Sequence, residues 1–168
     1  MAKTESFDVS TGVDLQEVDN AINQALKEIT QRYDFKNLTV QIDLDRKENK
    51  VNIDAPDEFK LNAVWEVLLS KMVKRSVPTR NLHRGKVEIG SHGRARQTVD
   101  LIQGLDADLT RKVAKLVKDA GLKKVQVTIQ GDQVRISGPS RDDLQAAIHL
   151  LREQDLGVEL KFGNYRSN

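Results

Sequence analysis

The amino-acid sequence predicts an α+β protein built from two similar halves, and three observations carry that reading. Apolar residues at helical spacing alternate with short runs of period two, the order of elements restarts near residue 96, and a hairpin occupies the matching place in each half. Each half reads β-α-β-β-α-β, the split βαβ plan in which two helices cover one face of a four-stranded antiparallel sheet. Two copies make a duplication and not a solenoid, which needs about three or more stacked units.

Ser6 to Ser10 alternates like a short strand, and Leu15, Val18, Ile22, Ala25, Leu26 and Ile29 follow at helical spacing. Leu38, Val40, Ile42 and Leu44 alternate as a strand, and Val51 to Ile53 follows across the polar connector Asp45 to Lys50, which describes a hairpin. After Pro56, a second amphipathic helix carries Phe59, Leu61, Val64, Trp65, Leu68, Leu69 and Met72 and ends near Pro78. Lys86 to Ile89 reads as a short strand, and Gly90 to Ala95 as the join between halves.

The order then begins again. Arg96 to Ile102 is a strand, and Asp106 to Ala120 a helix with Leu109, Val113, Leu116 and Val117 inward and Gly121 as its stop. Val125 to Ile129 and Val134 to Ile136 flank the turn Gly131-Asp132, a second hairpin. Ser140 is the expected N-cap of a last helix running to about Gln154, with Asp143 three residues on. Val158 to Phe162 supplies a final strand, followed by a polar tail.

The 168 residues include no cysteine, which excludes disulfides, thiolate nucleophiles and cysteine metal sites. No apolar run approaches the roughly 20 residues that cross a bilayer, and the amino terminus lacks the apolar segment of a secretory signal, so a cytoplasmic protein without membrane association is expected. The net charge of +2 conceals an asymmetry. Residues 1–70 hold 8 basic and 14 acidic side chains, and residues 98–168 hold 11 and 10. Between them, Lys71, Lys74, Arg75, Arg80, Arg84, Lys86, Arg94 and Arg96 stand against Glu88 alone.

Lys and Arg donate to phosphate oxygens, and Arg does so through paired hydrogen bonds, so that block is the candidate anion surface. The candidate phosphate-binding residues are Lys71, Lys74, Arg75, Arg80, Arg84, Arg94 and Arg96. A solvated face is the plainer alternative for any charge run. Arg111, Lys112, Lys115 and Lys118 form a second basic stripe, of the kind the solvent side of an amphipathic helix shows. Phe7, Phe162 and Trp65 read as core, and the central strands lack the aromatic residues on which RNA-recognition modules stack bases.

Catalytic patterns are poor. His83, His92 and His149 have no metal-ligand spacing, and there is no nucleophile elbow, phosphate-binding P-loop or Gly-x-Gly-x-x-Gly. No catalytic residue, metal or cofactor is expected.

Four stretches, read together, resemble the YajQ family of bacterial proteins over essentially the whole chain. They are Ser6-Phe7-Asp8-Val9 with Val13-Asp14-Leu15-Gln16-Glu17, Arg32-Tyr33-Asp34-Phe35-Lys36-Asn37, Gln130 to Gly138, and Ser140-Arg141-Asp142-Asp143-Leu144-Gln145. The resemblance implies two ferredoxin-like domains with exchanged N-terminal strands: residues 11–102 as the first, containing the strand at 96–102, and residues 1–10 plus 103–168 as the second. It also implies a nucleotide-binding protein, with purine nucleotide, cyclic dinucleotide and RNA as ligand classes and no enzyme activity. The expected function is therefore non-enzymatic, possession of a regulatory role included. A protein-interaction or chaperone-like module with a protein partner, and an enzyme of unrecognised type acting on nucleotides, stand as the alternatives.

Overall fold

Four polar side chains start the four helices by accepting hydrogen bonds from backbone amides that the first turn leaves unpaired. In the computed structural model, which describes residues 3–167, Asp14 accepts from Gln16 and Glu17 to open α1 (Leu15–Gln31). Asp57 accepts from Lys60 to open α2 (Glu58–Lys74), and Asp106 accepts from Leu109 to open α3 (Ala107–Asp119). Ser140 caps α4 (Arg141–Arg152) by accepting from Asp143, as its place in the sequence predicts.

The strands are β1 (Glu5–Ser10), β2 (Gln41–Asp45), β3 (Lys50–Ala55), β4 (Leu82–Arg84), β5 (Glu88–Ile89), β6 (Ala95–Leu101), β7 (Gln126–Gln130), β8 (Gln133–Gly138) and β9 (Lys161–Ser167). They form two antiparallel sheets. One has the order β7-β8-β1-β9, and the other β2-β3-β6-β4 with β5 also paired to β6. The architecture is α+β.

The chain divides into two compact units. Residues up to Gly12 together with those from Gly104 onward form one, and Val13–Gln103 the other. The first unit packs α3 and α4 over a core that includes Phe7, Val9, Val113, Val117, Ile136, Leu144, Ile148 and Leu151. The second packs α1 and α2 over Val51, Ile53, Ala95, Val99 and Leu101, with Trp65 buried. Strand β6 shows why one face is dry: Ala95, Gln97, Val99 and Leu101 point to the helices, while Arg96 and Asp100 between them are exposed.

Three expectations differ from the observed elements. The last strand begins at Lys161, inside the expected Val158 to Phe162, and runs on through the polar tail, because β1 offers its free edge to Lys161–Ser167, with a register shift between Ser6 and Asp8. Backbone pairing and the Asn164 amide donating to Asp8 hold that tail, while Val158 remains buried. Of the strand expected at Lys86 to Ile89 only Glu88–Ile89 forms, as β5, and the unforeseen β4 precedes it across a break at residues 85–87, where the Gly85 amide donates to the Thr98 carbonyl at 2.8 Å. The segment Gly90 to Ala95 holds a short 3-10 turn inside the second unit, and the chain passes between units after Gly12 and after Gln103.

Candidate functional site

The seven candidate cations do not share one environment. Lys71, Lys74 and Arg75 gather at the C-terminal end of α2, where Lys71 Nζ donates to Glu28 Oε1 at 2.9 Å. Arg75 grips Glu17 through Nε at 2.6 Å and Nη2 at 3.2 Å. Both acids belong to α1, so these cations fasten one helix to the other. The contacts are mutual: the Arg75 guanidinium holds the Glu17 carboxyl below its ordinary pKa, and the Lys71 ammonium does the same to Glu28. Lys74 is exposed beside them.

Arg94 and Arg96 meet on a single acid. Arg94 Nε reaches Asp54 Oδ1 at 2.7 Å while its Nη2 donates to the Thr39 carbonyl at 2.8 Å, and Arg96 Nε reaches Asp54 Oδ2 at 3.0 Å. Beside them lies a cleft of about 460 Å³ whose lining includes Lys86 and Arg96 but also Asp43, Asp54 and Glu88. Three carboxylates against two cations make that space a poor seat for a phosphate.

Arg84 has a different setting. It pairs in register with inward-facing Val99, so it projects on the opposite sheet face from Arg96. Its guanidinium lies 4.9 Å from the centre of the Trp65 ring, Nε donates to Gln97 Oε1 at 3.0 Å and Nη2 to Asn62 Oδ1 at 2.9 Å. All three partners are neutral. Desolvation is the leading cause that lowers its pKa, opposed by Glu66 at longer range. Gly85 follows, and a β-carbon there would stand 2.9 Å from the Thr98 carbonyl oxygen, so the residue after Arg84 must be small. Gln97 Nε2 donates to the Gly85 carbonyl at 2.8 Å and locks the turn.

Arg80 lies in the 3-10 turn Thr79–Asn81, where its backbone carbonyl is bonded to the His83 ring at 3.0 Å. The stripe Arg111, Lys112, Lys115 and Lys118 is exposed on α3, and Arg111 pairs with Asp108. Of the expected core aromatics, Phe7 and Trp65 are buried and Phe162 is half-buried. Sequence reading missed Asn62, Gln97 and Gly85 as the frame of Arg84. No local pattern announces them, because they come from α2, β6 and the β4–β5 break. Among the described residues, no group of three or more His, Asp or Glu could hold a metal ion, and no helix is long and apolar enough to cross a membrane.

Of the candidate cations, Lys71, Arg75, Arg94 and Arg96 are committed to carboxylates, whereas the Arg84 guanidinium meets only neutral partners. Residues 5–166 match the family described as nucleotide-binding protein YajQ-like, and the chain belongs to that family. It is 48% identical over 166 residues to a nucleotide-binding protein of Alkaliphilus oremlandii, covering 99% of this chain and 100% of the relative. The corresponding protein of Heliobacterium modesticaldum is 48% identical over 167 residues, and that of Chloroherpeton thalassium 45% over 166, each with 99% and 100% coverage.

Proposed function

We propose that this chain is a non-enzymatic nucleotide-binding protein that takes a purine nucleotide, a cyclic dinucleotide or RNA by its phosphates, with Arg84 as the first contact and a regulatory role. The observation that carries the reading is a partly desolvated guanidinium bonded only to Gln97, Asn62 and Trp65. An exposed guanidinium held in place by neutral partners, with no carboxylate against it, keeps its charge available to an anion. Among the described residues Arg84 makes no ion pair, whereas Lys71, Arg75, Arg94 and Arg96 each do. Those four would support a ligand only by exchanging a carboxylate for a phosphate, which makes Lys74 the more available second contact. The names of the relatives support nucleotide as the ligand class.

Both units also fit one ferredoxin-like plan with exchanged first strands. Taking β1 as the first strand of one unit and β6 as that of the other, the two sheet orders are the same permutation, which supports a duplication.

Calorimetry of the full chain against a cyclic dinucleotide and a short RNA tests the function. Arg84→Ala should weaken binding by about ten- to hundredfold, the worth of a charge-assisted hydrogen bond, while Lys71→Gln should leave it near the starting value. Affinity should fall as salt rises. Unchanged affinity in Arg84→Ala would remove Arg84 from the site.

A further inference from the structure

The connector from α1 to β2 encloses a second space that the basic block does not touch. Phe35 is buried and pins the connector, with the Arg32 guanidinium 5.4 Å and the Lys60 ammonium 4.9 Å from its ring centre. Arg32 also clamps Asp34 through Nε at 3.0 Å and Nη2 at 2.8 Å, and Lys60 donates to the Asp34 carbonyl. With Phe35 inward and Asp34 tied down, Tyr33 is thrown outward and stands 90% exposed. A rigidly held connector that presents a tyrosine to water is an arrangement core packing does not require.

Beneath Tyr33 is a pocket of about 590 Å³. Its apolar lining comes from Leu26, Ile29, Leu38 and Val40, and Lys36 and Asn37 stand on its rim. Leu38 is 40% exposed, so the floor is open to a ligand. The last turn of α1 contributes Thr30 and Gln31, where a helix ends in carbonyls without in-helix donors. Lys36 makes no ion pair among the described residues.

We propose that this pocket is a base-stacking site that takes the ring of a purine nucleotide, with Tyr33 as the stacking surface, the end of α1 accepting from ring N–H groups and Lys36 meeting the phosphate. An aliphatic ligand would use the floor and leave the phenol face and Lys36 without a role. A free phosphate would use Lys36 and leave the floor empty. A planar ring with an appended anion uses all three, in a volume of the size that small-molecule sites have. The choice of nucleotide rests on the function proposed above, but the pocket's geometry is independent of Arg84.

The test is calorimetry of the full chain with guanosine, with guanosine 5′-monophosphate and with inorganic phosphate. Tyr33→Ala should weaken both guanosine and the monophosphate by about five- to hundredfold, the range of one lost base–aromatic stack, and Tyr33→Phe should restore both. Lys36→Ala should weaken the monophosphate and leave guanosine unchanged, and phosphate alone should not shift the Tyr33 or Leu38 amide resonances. Tyr33 is so exposed that its removal leaves the core intact, which circular dichroism verifies. If Tyr33→Ala binds both purines like the parent, the pocket inference is overturned; should Arg84→Ala still weaken the monophosphate, the phosphate reading survives alone. A Tyr33 effect beside a silent Arg84→Ala supports the pocket and removes Arg84. Absence of binding by every probe overturns both.

Discussion

Replacing Asp8 tests how the first unit holds its N-terminal strand. Asp8 sits in the middle of β1, is only 7% exposed, and accepts from Arg135 Nε at 3.0 Å and Nη2 at 3.4 Å and from Asn164 Nδ2 at 2.6 Å. One carboxylate thereby ties β1 to β8 on one side and β9 on the other. Breaking a buried ion pair costs about 3–5 kcal/mol, but the Arg135 side chain is 28% exposed and recovers part of its hydration. Asp8→Ala should therefore cost about 2–3 kcal/mol, and Asp8→Asn, which keeps the shape and one acceptor, about 1–2 kcal/mol. The Arg135 hydrogen bond is the main cause holding the Asp8 carboxyl below its ordinary pKa, with Asn164 acting in the same sense against burial. The folded chain thus binds that proton less readily than the unfolded chain. The contribution is complete above the unfolded carboxyl value of about 3.9 and disappears as pH falls through the lower folded value. Urea denaturation followed by circular dichroism should show the gap between parent and Asp8→Asn at neutral pH and its closing in acid. A gap under about 0.5 kcal/mol at neutral pH, or one that persists unchanged in acid, would refute the reasoning.

Two further substitutions probe the frame around the sites. Gly85→Ala would press a β-carbon against the Thr98 carbonyl oxygen, a backbone atom with little room to yield; the expected cost is about 1–3 kcal/mol, read as a lower urea midpoint, with weaker nucleotide binding because Arg84 shifts with its neighbour. Asp106→Ala removes the hydrogen bond to the Leu109 amide at 2.8 Å and should cost about 1 kcal/mol, seen as a lower midpoint and faster amide exchange in the first turn of α3.

The alternation of apolar residues made the fold legible, because each sheet has one dry face and each helix one apolar stripe. Asp106 to Ala120 and Val125 to Ile136 read cleanly for that reason. Strand β9 was hidden because most of it runs through polar residues without alternation: backbone pairing, Asn164 on Asp8, and the rings of Phe162 and Tyr165 against Phe7 hold it. The site was less legible. A run of cations shows in a sequence, but the acids that engage it come from elsewhere: Glu17 lies 58 residues from Arg75, and Asp54 lies 40 from Arg94. Conversely, Arg32-Tyr33-Asp34-Phe35-Lys36-Asn37 marks the family resemblance, yet which of its two aromatic residues turns outward depends on Lys60, a residue of α2.

Helix α2 links the two proposed contacts. Lys60 braces the connector under Tyr33, while Asn62 and Trp65, three residues apart on one helical face, hold Arg84. Successive helical positions rotate by about 100°, so Lys60 and Asn62 point to different sides of the same opening turns. A ligand that met both Tyr33 and Arg84 would have to pass around the start of α2. A mononucleotide occupies one contact at a time, whereas a ligand with two bases and two phosphates gains from the second as an intramolecular event. On these proposals the geometry favours a dinucleotide or an RNA strand over a single nucleotide, because only the longer ligand uses the cation and the aromatic platform together.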